Sequence, residues 1–136
     1  MAYFLAKTDP DTYTIDQLEQ DKQTEWDGVK NAQALMAIKQ MRPGDKVFIY
    51  HSLGQSAIVG LAKVISAPKP DPKIPKSFSV GMQFLKRLNP PTTLAEVKQS
   101  KMFDHWGLVR QSRLSTMAAP EEFVDWMRAR YPKAKI

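Results

Sequence analysis

Two short apolar runs, Lys46-Val47-Phe48-Ile49-Tyr50 and the stretch from Ala57 to Ile65, are joined by a polar connection through Ser52-Leu53-Gly54-Gln55. Runs this brief, rich in Val, Ile, Phe and Tyr, suit a pleated surface better than a buried helix. The pair reads as a β-hairpin in the middle of the chain. Arg42-Pro43-Gly44-Asp45 supplies the turn that enters it, since proline fixes one φ and glycine permits the other. Gly60 interrupts the second run. An interior strand glycine marks a bulge, or a place where a ligand approaches the backbone.

The flanks add strands and short helices. Tyr3 to Lys7 predicts a short, largely buried strand stopped by Pro10. Thr14-Ile15-Asp16-Gln17 has capping-box spacing and predicts a helix from Thr14 that includes Leu18. Asn31 is placed to cap a second helix to about Gln40, with Ala34, Leu35 and Ile38 facing inward. Residues 67–76 carry four prolines and read as an exposed, extended connection. Phe78 to Leu88 predicts a returning strand, and Thr93-Leu94-Ala95-Glu96 a second capping box that opens a third helix. Leu114 to Met117 predicts the last strand. Pro120 then opens a final helix, with Glu121 and Glu122 in its first turn and Phe123, Val124, Met127 and Tyr131 as its buried stripe. Trp106, Trp126 and the methionines are assigned to core or interface. Short strands with small helices, not alternating with long ones, give an α+β fold around a compact mixed barrel of about five to six strands.

The 136 residues match one domain over the whole of 1–136, large enough to bury a core without staples. Cysteine is absent, which removes disulfides, thiolate nucleophiles and thiolate-rich zinc sites. Lys7 and Asp9 follow the first apolar residues too soon for a signal-peptide core, and no apolar run approaches the roughly 20 residues of a membrane helix. A cytoplasmic location is expected. The net charge of +6 is unevenly spread: residues 1–27 hold seven acids against Lys7 and Lys22, so the remainder carries +11. A basic body of that kind attracts polyanions, although lysine and arginine also serve plain solubility.

Five blocks in order resemble the EVE domain family of the PUA-like superfamily. They are Tyr3-Phe4-Leu5-Ala6-Lys7-Thr8-Asp9-Pro10-Asp11-Thr12-Tyr13, Thr24-Glu25-Trp26-Asp27-Gly28-Val29-Lys30-Asn31, Met41 to Asp45 followed by Phe48-Ile49-Tyr50-His51-Ser52, Ile58 to Val64, and Gly107 to Ser115. Thr8-Asp9-Pro10 stands where the family usually has Ser-Glu-Pro, and Ala32 and Leu35 stand where it tends to carry an aromatic and an arginine. The resemblance implies a PUA-like barrel with a nucleobase pocket, no catalysis, no cofactor and no metal. Its implied partner is nucleic acid, or a nucleotide, bearing a modified base. On this basis the base pocket is expected from Lys7, Thr8, Trp26, Val29, Asn31, Tyr50, His51, Ser52, Gly60, Leu61, Leu114 and Ser115. Nucleic-acid contacts are expected from Lys30, Arg110, Gln111 and Arg113.

The residues themselves leave alternatives open. Trp26 offers a face on which a flipped base stacks, and it also suits a core. Asn31 carries donor and acceptor atoms, yet capping a helix would occupy its oxygen. Lys7 and Thr8 at a strand end could reach a base edge or a phosphate. His51 and His105 share no metal-ligand spacing, and adjacent Ser52 and His51 would point to opposite faces of a strand. The Arg110–Ser115 stretch suits phosphate or a base edge, and equally a loop satisfying its own backbone. Two other functions compete. Asp9 with Asp11, or Glu25 with Asp27, could hold Mg²⁺ for phosphodiester hydrolysis. The proline-rich stretch from Ala67 to Lys76 could dock a protein, making the chain an adaptor.

Overall fold

The computed structural model describes residues 1–52, 54 and 56–136. In chain order the elements are β1 (Tyr3–Thr8), α1 (Ile15–Asp21), β2 (Gln23–Trp26), α2 (Ala32–Gln40), β3 (Lys46–His51), β4 (Ala57–Val64), β5 (Lys69–Pro70), β6 (Phe78–Thr93), α3 (Leu94–Ser100), α4 (Gly107–Arg110), β7 (Thr116–Ala118) and α5 (Glu121–Arg130). Six strands form one curled half-barrel in the order β2-β6-β4-β3-β1-β7, and β5 pairs with β6 beside it. The expected α+β barrel is therefore what the chain adopts.

The central hairpin pairs β3 with β4 antiparallel, from Lys46 opposite Lys63 to His51 opposite Ala57. Leu53 and Gln55 of its connection lie outside the described residues. β1 runs parallel to β3, from Tyr3 opposite Lys46 to Thr8 opposite His51. Parallel neighbours need a crossover, and α1, β2 and α2 supply it. Local chemistry sets the helix starts. The Thr14 hydroxyl accepts the Gln17 N–H, Asn31 Oδ1 accepts the Ala34 N–H, and Thr93 with Glu96 makes both bonds of a capping box. On one face Phe123 of α5 meets Phe48 at 5.4 Å and Phe103 at 5.3 Å, both edge to face, a geometry aromatic quadrupoles favour.

Several boundaries differ from expectation. β2 was not foreseen: Gln23, Thr24 and Glu25 are polar, and the strand forms because β6 offers a partner from Gln83 to Val80. β6 continues past Leu88 to Thr93. The ladder to β4 jumps from Gly60–Arg87 to Ile58–Thr92, so Pro90 and Pro91 fall where their missing N–H groups leave no rung unmade. The last strand begins at Thr116 rather than Leu114, because the Leu114 N–H turns back to the Gln111 carbonyl. The same segment contributes α4, also unforeseen.

Residues 67–76 are not simply an exposed connection. Lys69 and Pro70 pair with β6, and Asp71 is buried with its carboxylate accepting the N–H groups of Gly28 and Lys73. Those two bonds, Lys73 first, hold the Asp71 carboxyl below its ordinary range. The Ser77 hydroxyl donates to the Val29 carbonyl at 2.6 Å. The proline-rich loop thus clamps the corner between β2 and α2.

Gly60 is a packing position. A Cβ there would stand 2.6 Å from Ile15 Cδ1 and 3.0 Å from the Lys86 carbonyl oxygen. The glycine lets α1 lie on the sheet, beside a register shift between Ile58 and Gly60. Gly60→Ala should cost about 1–3 kcal/mol by overpacking, recovered in part by Ile15→Val in the same chain. Urea unfolding of the single and double variants checks this, and an unchanged midpoint for Gly60→Ala would contradict it.

His51 anchors the start of α1: its Nε2 accepts the Ile15 N–H at 3.1 Å, a bond only the neutral ring can make there. Burial pushes the imidazole below its ordinary value. A lowered folded value means stability is present in full above the unfolded pKa of about 6.5 and is lost as pH falls through the folded one. The urea midpoint should therefore drop on acidification from pH 7.5 to 5, and His51→Asn should flatten that dependence. Equal slopes in both proteins would refute it.

Candidate nucleic-acid interface

One cleft of about 340 Å³ opens where the ends of β1 and β2 meet the turn between β1 and α1. Lys7, Thr8, Asp9, Thr12, Tyr13, Thr24, Glu25, Trp26 and Asp27 line it. Its volume is at the small end of ligand pockets, which run from about 300 to 1,000 Å³. The turn is fixed by its own bonds. The Asp9 carbonyl accepts the N–H groups of Thr12 and Tyr13, Asp9 Oδ1 accepts the Asp11 N–H, and the Thr8 hydroxyl donates to the Tyr13 carbonyl. This brings Tyr13 to Trp26, ring centroids 6.4 Å apart and planes at 85°. The Tyr13 hydroxyl donates to Asp21 at 2.8 Å, and burial raises its pKa.

Trp26 is both core and cleft. It is 7% exposed and pairs with Val80, so only a margin of the indole reaches the opening. Lys7 is half-buried. Its ammonium donates to the Ser112 carbonyl at 3.1 Å and sits 5.5 Å from the Tyr50 ring centroid, while burial lowers its pKa. Through that bond, and through the Lys7 N–H to the Ser115 carbonyl at 2.7 Å, the 110–115 segment is tied to the rim. Arg110, Gln111 and Arg113 are all exposed there, and Arg110 approaches His105 Nδ1 at 3.4 Å.

The expected pocket residues divide. Lys7, Thr8 and Trp26 line the cleft, and Ser52 stands next to it, with its N–H on the Thr8 carbonyl. Asn31 spends its oxygen on the α2 cap, and Lys30 is exposed beside it. The fold takes the others elsewhere. Gly60 faces Ile15, Leu61 is 0% exposed, and Leu114 is buried near Gly107. Tyr50 and Val29 are also buried, and His51 is turned to α1. None of these residues, nor Ser115, is in the cleft lining, although the Tyr50 ring lies 5.5 Å from the Lys7 ammonium. Asp9, Thr12, Tyr13, Thr24, Glu25 and Asp27 also line the cleft and were not among the expected pocket residues; of these the acids were weighed only as metal-holding carboxylates.

Two of the acids weighed for a metal are held by other partners. Asp9 is bound to the Asp11 N–H, and Glu25 accepts the Ser79 hydroxyl at 2.9 Å and meets Lys69 at 3.3 Å. No group of three His, Cys, Asp or Glu side chains able to hold a metal ion occurs among the described residues.

The sequence profile of the EVE domain matches residues 2–130. Human thymocyte nuclear protein 1 is 30% identical over 125 residues, covering 71% of this chain and 56% of that protein. The rat protein is 38% identical over 81 residues, 51% of this chain and 36% of its own length, so the chain spans only part of these curated relatives. Among solved structures, a protein from Rhodopseudomonas palustris superposes with a TM-score of 0.86 at 34% identity, covering 93% of this chain and 90% of that one. Human thymocyte nuclear protein 1, solved in complex with DNA containing 5-methylcytosine, superposes at 0.87 with 24% identity and coverage of 98% and 99%. A YTH domain at 0.57 and 18% identity shares the PUA-like fold. The chain belongs to the EVE domain family.

Proposed function

We propose that this chain is a non-enzymatic nucleobase-binding domain that holds one modified base of DNA or RNA in the cleft between β1 and β2. The observation that carries the reading is one juxtaposition. An aromatic floor with a rim of hydroxyls and carboxylates, sized for a small ligand, adjoins the exposed Arg110–Arg113 segment. A flipped base sets its flat face on Tyr13, the more open of the two perpendicular rings, worth roughly 1–3 kcal/mol, and brings its edge to the exposed margin of Trp26 and to the polar rim. The phosphates flanking it then fall to Arg110 and Arg113, whose planar forks suit them. That the human relative was solved with 5-methylcytosine DNA supports nucleic acid with a modified base as the partner.

The test is the fluorescence anisotropy of end-labelled oligonucleotides that differ in one base, titrated with the chain at two salt concentrations. Trp26→Ala is the wrong variant, since removing a core tryptophan costs about 3–5 kcal/mol. Trp26→Phe keeps a ring and should weaken base-dependent binding while the chain stays folded. Arg110→Ala and Arg113→Ala should weaken binding to all sequences alike and reduce the salt slope by about one each. A Trp26→Phe variant with undiminished base dependence would defeat the reading, as would an unchanged slope for both arginine variants.

A further inference from the structure

The cleft rim is unusual in its charge. Lys7 is its one cation, and Asp9, Glu25 and Asp27 are its acids. A phosphate would be repelled by such a rim, whereas the edge of an uncharged base would not. Most of the polar groups are already occupied. Lys7 donates to Ser112, Thr8 donates to Tyr13, Asp9 accepts from Asp11, and Glu25 is held by Ser79 and Lys69. Asp27 and Thr12 differ: both are exposed, line the cleft and have no side-chain hydrogen bond or ion pair among the described residues, and of the two only Asp27 is confined to accepting.

Its backbone, by contrast, is pinned on both sides. Trp26 before it is in the ladder opposite Val80. Gly28 after it has φ +76°, a conformation glycine adopts without strain, and gives its N–H to the buried Asp71. An acceptor is thus held at a rigid corner, at the edge of an aromatic floor. The backbone position is fixed, and only the two side-chain torsions of Asp27 remain to be ordered on contact.

We infer that Asp27 is the specificity-determining residue of the cleft, selecting a base that presents an exocyclic amino group over one that presents a carbonyl at that position. A carboxylate only accepts hydrogen bonds. It pairs with an amino group such as cytosine N4, and it meets the O4 of thymine as acceptor against acceptor. At the rim the amino group gains a hydrogen bond from which the carbonyl gains nothing but acceptor–acceptor repulsion, and that difference is the discrimination. The inference rests on the base-in-cleft reading and adds to it a chemical class of base and a residue that selects it.

The probes are two single-stranded oligonucleotides with the same flanks and one central position, 5-methylcytosine in one and thymine in the other. Both bases carry the 5-methyl group, so the comparison isolates amino against carbonyl. The wild-type chain should bind the 5-methylcytosine strand roughly tenfold more tightly, the scale of one matched base-edge contact. Asp27→Asn offers a donor as well as an acceptor and should bring the two strands within about twofold. Removing a negative charge raises the affinity for both strands alike, so the ratio, and not the affinity, is the readout; circular dichroism and the urea midpoint confirm the fold. A ratio in Asp27→Asn equal to that of wild type would overturn the role of Asp27 while leaving the cleft reading intact. Equal wild-type binding of both strands would overturn it as well, provided that an abasic strand binds more weakly. Abasic and base-bearing strands bound equally would instead remove the cleft reading itself and the inference with it.

Discussion

The burial of Trp26 is the constraint on which the rest of the site depends. One indole ends β2 opposite Val80, receives Tyr13 edge-on, and supplies the floor of the cleft. The cleft cannot loosen without loosening the core. That arrangement is the physical form of preorganisation: the walls are set before a ligand arrives, and little ordering remains to be offset by contacts. The supports reach far along the chain. Asp71 holds Gly28, Ser77 holds Val29, His51 holds the start of α1, and Gly60 leaves room for Ile15.

Charge divides along the same line. The acids of the first 27 residues gather partly at the cleft, and cations lie on the neighbouring 110–113 segment. A uniformly basic surface would draw a polyanion to any point on it. On the proposed reading, an acid-rimmed cleft beside exposed arginines would separate two tasks, holding a backbone and examining a base. Lys7 joins the two regions, since it lines the cleft and binds the Ser112 carbonyl.

What was legible in the sequence was what local physics controls. Thr93 with Glu96 makes its capping box, Asn31 caps α2, and the stripe of Phe123, Val124, Met127 and Tyr131 is buried. The hairpin, too, follows from its apolar runs. What was not legible depends on partners distant in sequence. β2 is polar and exists because β6 lies beside it, β6 passes its prolines because its register to β4 shifts there, and Asp71 is buried because Gly28 needs an acceptor. The site divided in the same way. Trp26, Lys7 and Thr8 stood out by residue type and motif, whereas Gly60 and Leu61 resembled pocket residues yet serve the packing of α1 and the sheet. Tyr13 ended the first motif without standing out as a pocket residue, and it reaches the cleft because the turn at Asp9 folds back.

The most direct measurement is the indole N–H resonance of Trp26 in a ¹⁵N-labelled chain, followed during titration with a short strand bearing one 5-methylcytosine and with the same strand abasic at that position. A base seated in the cleft predicts a saturable shift of Trp26 with the first strand only, while Trp106 and Trp126 stay still. A Trp26 resonance that does not move, with the Arg110–Arg113 amides shifting equally for both strands, would contradict it: the chain would then bind the backbone and leave the cleft empty.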